Sequence, residues 1–456
     1  MSLSRAGAPP ARAAVRGQVL LGSWLALSMA TAPAQAALSQ EGPPRAQLSK
    51  QDASPLPRAR PSAEGISAER LQRVDDFIEA SIATGQYLGA VTLIARHGRI
   101  VSWQAHGRRE IEAPDALDRN AIFRIYSMTK PVTSVAALML MEEGKFQLDD
   151  PVSKYLPEFA DVRVFAGGSA DALQLREPKR PMTVRHLFVH AGGFPGGEQT
   201  QPEVISQIER AELQRSSDLR TYAHRLSKVP LAADPGARFN YDGLNTNVLS
   251  RLVEVWSGQS FERFLQDRIF TPLRMRDTGF TVPVSQRHRI AQMTASDAQG
   301  RLIPSATFKG VERGLAINPY WSGAGGLYST AADYLRFAQM LLNDGELDGV
   351  TLLGRKTVAL MMTNQLGNLD PPQLEFRPGE GFGLGGFVGI DPARRPRLGS
   401  VGDFGWSGAA STYFTVDRRE GLIALLLMQH LPEGSPQAPP RLSGQFYTLV
   451  YQSLVE

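Results

Sequence analysis

The chain has 456 residues, of which 42% are hydrophobic and 21% charged. That is globular composition, long enough for a large core and more than one lobe. Cysteine is absent, which excludes a disulfide framework and a lipid attached through cysteine. The net charge of +4 comes largely from the first 36 residues, which hold three Arg and no acids, so 49 − 3 = 46 basic residues face 45 acidic ones in the rest. That balance excludes an electrostatic case for a nucleic-acid partner.

Residues 1–36 read as an export signal. Arg5, Arg12 and Arg16 precede an apolar segment from Val19 to Met29, and Ala34-Gln35-Ala36 matches an A-x-A cleavage site. That segment is short for a membrane span, and no later stretch reaches a spanning length, so the mature chain is expected to carry none. The expected location is the periplasm or the exterior. Residues 37–62 are rich in Pro, Ser, Ala and Gln and read as a disordered tether. The folded part is then expected over 63–456.

Ser67 is a candidate N-cap for a helix whose buried face carries Leu71, Val74, Phe77, Ile78 and Ile82. Gly89–Ala95 and Ile100–Ala105 read as strands of a hairpin turning at His97-Gly98. A helix follows from Ser127 to about Glu143. From about 148 to 320 the pattern is mainly helical, with breaker-rich loops at Pro151–Pro157, Ala166–Pro181 and Gly192–Pro202. Helices are expected at Thr183–Val189, Glu203–Leu213, Asp218–Leu226, Asn245–Ser257 and Phe261–Ile269. Another is expected at Thr330–Asn343. Strands return at Gly383–Ile390, Ser411–Val416 and Leu422–Gln429, and Gly444–Leu454 closes the chain as a helix. Strands at both ends with helices between predict an α/β fold of the α+β type. Its terminal strands form one largely antiparallel sheet flanked by helices, beside a helical lobe. A cleft between the two is the place for a substrate.

Three stretches carry chemistry. In Ser127-Met128-Thr129-Lys130 the spacing places a hydroxyl and an amine on one face of a helical turn. That pair can activate serine without histidine. The alternative is a Ser N-cap beside an exposed Lys. Tyr241 lies in Pro235-Gly236-Ala237-Arg238-Phe239-Asn240-Tyr241, between a turn and a helix start. Near Lys130 its phenol can serve as general base. Free Tyr and Lys titrate near ~10 and ~10.4, so the pair has to lower one another to work near neutrality. The alternative is a half-buried aromatic bonded to backbone. In Gly405-Trp406-Ser407-Gly408-Ala409 small residues let a strand edge approach a substrate. The N–H of Ala409, with that of Ser127, can form an oxyanion hole. The alternative is a tight turn entering a strand.

This combination resembles the serine β-lactamase and penicillin-binding-protein superfamily, in its class C-like branch, and within it the family VIII carboxylesterases. Thr183-Val184-Arg185-His186-Leu187-Phe188-Val189-His190-Ala191-Gly192 resembles the family's T-V-R-x-L-L-x-H-x-S-G, and Gly325-Gly326-Leu327-Tyr328-Ser329-Thr330 its G-G-L-x-S-T. The resemblance runs from about Ser67 to the C-terminus. It implies a β-lactamase/transpeptidase-like fold, Ser127 as nucleophile, Lys130 and Tyr241 as proton-transfer groups, Trp406 and Gly408 in the third box, and no cofactor. Two departures stand out. Tyr241-Asp242-Gly243 lacks the Asn of the β-lactamase Y-x-N, and Trp406-Ser407-Gly408 lacks the Lys of K-T-G. A lysine there attracts the β-lactam carboxylate, an interaction of roughly 1.5–3 kcal/mol.

Other signals compete. Gly405–Ala409 nearly spells the G-x-S-x-G elbow around Ser407, but its fifth residue is Ala and a strand follows rather than a helix. His186 and His190 are four apart, yet Leu187 stands where H-E-x-x-H needs Glu, so His190 is expected to cap the turn at 191–193. Asp242, Asp403 and Arg124 are candidates to line the cleft, and Arg394-Arg395-Pro396-Arg397 reads as a solvated loop. The expected function is an exported serine carboxylesterase with a small-molecule ester as partner. The alternatives are a weak β-lactamase or D-peptidase, and a non-catalytic cell-wall recognition protein.

Overall fold

The computed structural model describes residues 55–196, 200–306, 312–431 and 439–456. The expected export signal and most of the expected tether lie outside them. Residues 55–62, assigned to that tether from composition, lie instead against the sheet. Leu56 is buried, and Ala59 donates its N–H to the Ile100 carbonyl at 3.0 Å. A proline-rich stretch reads as tether from composition alone, but its backbone pairs where a strand edge offers acceptors.

Helix α1 (Ala68–Ala83) starts where the Ser67 side chain accepts the Arg70 N–H, and it buries Leu71, Val74 and Ile78. Each such burial is worth about 1.5–3 kcal/mol. The hairpin of β1 (Gly89–Arg96) and β2 (Arg99–Gly107) follows, turning at His97 and Gly98, both with positive φ. Helix α2 (Thr129–Glu142) is buried from Thr129 to Leu140. A helix buried on all sides belongs between two layers, and α2 packs on a later helix, Leu244–Ser257.

The middle of the chain is not helical throughout. The segment Ala166–Pro181 was expected as a loop, but it contributes a two-stranded hairpin, β3 (Val164–Ser169) and β4 (Ala172–Arg176). Both strands are short and largely exposed, so no apolar alternation marked them. Helices α3 (Val184–Phe188), α4 (Pro202–Ala211), α5 (Leu219–Leu226) and α6 (Leu244–Ser257) fall where the periodicity placed them. The helix expected to Ile269 keeps its α form only over Phe261–Leu265 and continues as a π turn, Gln266–Phe270.

Helix α7 (Ala331–Leu342) is capped by Thr330. Beyond it the sheet resumes with β5 (Glu380–Phe382), β6 (Phe387–Gly389), β7 (Phe404–Gly408), β8 (Thr412–Asp417) and β9 (Leu422–Met428), and α8 (Ser443–Tyr451) closes the chain. The single strand expected over Gly383–Ile390 is thus two strands around a turn. There the Gly383 N–H meets the Gly386 carbonyl at 2.8 Å, and Gly385 has a φ of 101° that only glycine adopts readily.

Among the described residues these strands form a seven-stranded antiparallel sheet in the order β5-β6-β7-β8-β9-β1-β2. The two chain ends meet in it: β1 pairs with β9 from Ala90↔Met428 to Arg96↔Leu422. One face carries Ile94, Leu426 and Tyr413 under α1 and α8. The other carries Leu93, Leu425 and Phe414 into the main core with α2 and α7. No helix among the described residues is long and apolar enough to cross a membrane.

Candidate active site

Ser127 sits in a 3-10 turn, Tyr126–Met128, that runs directly into α2. Tyr126 enters the turn with φ 44°, a left-handed conformation rare for a bulky residue. Strain of this kind persists where surrounding contacts fix it. Here Tyr334 donates its hydroxyl to the Met128 carbonyl at 2.8 Å. Gly408 presses on the other side: a Cβ there would lie 2.3 Å from the Ile125 carbonyl and 2.2 Å from Thr412 Oγ1. The end of β7 therefore lies against the turn that carries Ser127, and Ala409 and Tyr126 pack against the same small apolar cluster.

One turn along α2, Lys130 is 3% exposed. Its Nζ donates to Ser127 Oγ at 3.2 Å and to the Ala324 carbonyl at 2.7 Å. The same ammonium lies 4.9 Å from the centre of the Tyr241 ring. Trp406 donates its indole N–H to the Tyr241 hydroxyl at 3.0 Å. Four of the residues singled out in the sequence thus form one connected group, Ser127–Lys130–Tyr241–Trp406. Ser127 and Tyr241 are half-buried, so the group reaches solvent.

Around it stand residues the sequence did not single out. Asn247, on α6, accepts from Ser322 Oγ at 2.9 Å and from the Ala324 N–H at 3.3 Å. It fixes the loop whose carbonyl holds Lys130. No sequence signal marks this role, because an Asn six residues beyond Tyr241 belongs to no local pattern. Two segments, 166–181 and 366–381, dock on the stretch leading to Tyr241. Arg176 on β4 grips Asp234 with bonds of 2.7 and 2.8 Å. From the other loop Asp370 donates its N–H to the Gly236 carbonyl at 2.9 Å, and Gln373 accepts the Phe239 N–H at 2.9 Å. Phe239, Phe376, Phe382 and Trp406 form a continuous set of ring contacts beside Tyr241.

Several expectations need correction. His190 does not cap the 191–193 turn; its ring packs 4.7 Å from that of Tyr241. His186 instead completes a capping box with Thr183, and no cluster of metal-ligating side chains occurs among the described residues. The side chain of Asp242 is buried and accepts both the N–H and the side-chain amide of Asn245; burial pushes its carboxyl up to about 7. Asp403 belongs to a buried ion cluster. The Arg395 side chain is fully buried and binds Asp403 at 2.8 Å and Glu380 at 3.0 Å, with Arg397 at 3.1 Å from Glu380. The stretch 394–397 is therefore no solvated loop: two of its cations neutralise carboxylates that the fold buries. Arg124 lines a separate cavity of about 410 Å³ with Ile290, Met293, Tyr328 and Gln429. Met293 also belongs, with Ala410 and Leu431, to the small apolar cluster against which Tyr126 and Ala409 pack.

The family model described as Beta-lactamase matches residues 74–444. Protein Rv1367c of Mycobacterium tuberculosis is 34% identical over 372 residues, covering 79% of this chain and 90% of that protein. Esterase EstB of Burkholderia gladioli is 29% identical over 399 residues, covering 82% and 94%. Among solved structures, EstCE1, described as a hydrolase with promiscuous acyltransferase activity, superposes with a TM-score of 0.70 at 26% identity, covering 84% of this chain and 99% of that one. The chain belongs to the Beta-lactamase family, a family of serine hydrolases.

Proposed function

We propose that the protein is an exported serine carboxylesterase that works through an acyl-enzyme on Ser127. The observation that carries this reading is the position of the Lys130 ammonium between Ser127 Oγ and the Tyr241 ring. An ammonium there stabilises a phenolate on Tyr241 and leaves a lone pair on Ser127 Oγ directed away from it. Tyr241 takes the Ser127 proton as Oγ attacks the ester carbonyl. The N–H groups of Ser127 and Ala409 receive the oxyanion. The tetrahedral intermediate collapses, Tyr241 returns the proton to the departing alcohol, and the acyl group stays on Ser127. Water then repeats the sequence and releases the acid.

The likeness to an esterase and the composition of the third box support an ester rather than a β-lactam. Trp406 occupies the position where a β-lactamase lysine would meet a carboxylate, and it offers a neutral N–H to Tyr241. Export rests on the charge and apolar pattern of residues 1–36. The test is turnover of p-nitrophenyl acetate and butyrate by the wild type and by Ser127→Ala, with nitrocefin alongside. The reading requires ester turnover that Ser127→Ala abolishes and nitrocefin turnover far weaker. Efficient nitrocefin hydrolysis, or esters cleaved equally by both proteins, contradicts it.

A further inference from the structure

The H-x-S-G-like stretch around His190 has no part in the relay described above, yet it lies at the centre of the site. His190 is 1% exposed and adopts φ 52°. Three aromatic rings surround it: Tyr241 at 4.7 Å, Phe382 at 5.4 Å and Phe239 at 6.0 Å between centroids. Its carbonyl accepts the Asn240 N–H at 2.8 Å. Its Nδ1 receives the Asp242 N–H at a longer 3.5 Å. These two donors are the backbone neighbours of Tyr241 on either side.

We propose that His190 is a positioning residue that clamps the backbone on both sides of Tyr241 and so fixes the phenol over the Lys130 ammonium; this rests on the esterase reading above. The clamp needs an imidazole with a free Nδ1 lone pair, hence a neutral ring with its proton on Nε2. The surroundings enforce that state. Burial, and then the Lys130 charge, hold the His190 imidazolium form well below its ordinary range. The groups facing the ring are Lys130 from α2, Tyr241 and Asp242 from the loop before α6, and the uncharged rings of Phe239 and Phe382. The Asp242 carboxyl lies 4.0 Å from His190 Nδ1, but burial pushes it up to about 7, so it offers less than a full counter-charge near neutrality. The left-handed backbone at His190 lets one residue present both its carbonyl and its ring to the same strand of chain.

The test compares His190→Ala with His190→Asn. Asparagine tolerates φ near 52° and places Oδ1 where Nδ1 was, so it restores the acceptor without the ring. His190→Ala lowers kcat on the order of 100-fold with little change in KM, because a misplaced base slows proton transfer and not binding. His190→Asn recovers activity to within about tenfold of the wild type and keeps its pH profile. A folded His190→Asn as slow as His190→Ala, or a His190→Ala close to wild type, overturns the clamp. Should His190→Ala not fold, the asparagine variant decides alone by the same limit. Crystal structures of the variants give a reading independent of esters. If wild type hydrolyses no ester, the functional reading fails by itself. The clamp still fails only if Tyr241 keeps its bond to Trp406 Nε1 after the acceptor is removed, and it stands if the phenol moves.

Discussion

The indole N–H of Trp406 reaches the hydroxyl of Tyr241 at 3.0 Å, with the two rings inclined at 52°. That bond fixes the direction of the phenol oxygen beside Lys130. Trp406→Phe keeps the ring and removes the donor. A hydrogen bond of this kind is worth roughly 0.5–1.5 kcal/mol, so kcat for p-nitrophenyl butyrate should fall about 2- to 10-fold with little change in KM. An unchanged kcat would show that the indole does not position the base.

Gly408 permits the close approach of β7 to the Ser127 turn. In Gly408→Ala the new Cβ meets a backbone carbonyl, that of Ile125, which has no flexible end to yield. The expected cost is about 1–3 kcal/mol of stability, with a loss of turnover on the order of 100-fold as the turn is displaced. Gly444→Ala is the control, since nothing lies within 4 Å of its Cβ. Chemical denaturation and ester assays on both variants check this, and equal behaviour would contradict the close fit.

The ion cluster makes a contrast within four residues. Arg395→Ala leaves the buried Asp403 and Glu380 short of a cation, and breaking a buried pair in this way costs about 3–5 kcal/mol. Arg394 pairs with Glu375 at the surface, and Arg394→Ala should cost less than about 1 kcal/mol. Urea unfolding separates the two. Similar losses would mean that burial of the cluster carries no weight.

Asp333, in the first turn of α7, accepts the Asp277 N–H at 2.7 Å and the Thr278 hydroxyl at 2.9 Å, tying the helix to that loop. Burial, and then the Asp277 carboxylate, push it up to about 7 from 3.8. The fold thus holds this proton more tightly than the unfolded chain does. Its contribution is complete below the unfolded value of 3.8 and is lost as pH rises through about 7. Asp333→Asn removes that dependence. The Tm of the variant minus that of the wild type should therefore be more positive at about pH 8 than at about pH 4. A difference that is flat or falls with pH contradicts the assignment.

Much of this was legible in the sequence because it is written locally. The i, i+3 spacing of Ser127 and Lys130 holds on any helical turn. The unbroken apolar run of Leu422–Met428 and the apolar face of Leu71, Val74 and Ile78 need no tertiary knowledge to read. Tyr241 and Trp406 were legible through a family pattern, since nothing local says that residues 165 positions apart share a hydrogen bond. Other features depend on what the chain folds against. The cations of 394–397 look solvated until Asp403 and Glu380 arrive beside them. The β3–β4 hairpin has too little buried surface to leave an alternating pattern. Asn247 and Ala324 act through a side-chain amide and a carbonyl, and a carbonyl carries no residue identity at all.

The most direct test is mass spectrometry of the protein quenched during turnover of p-nitrophenyl butyrate. The account predicts one butyryl group on the peptide that carries Ser127, absent in Ser127→Ala and accumulating more slowly in Tyr241→Phe. A butyryl group on Ser407 instead, or steady hydrolysis by Ser127→Ala, would contradict it.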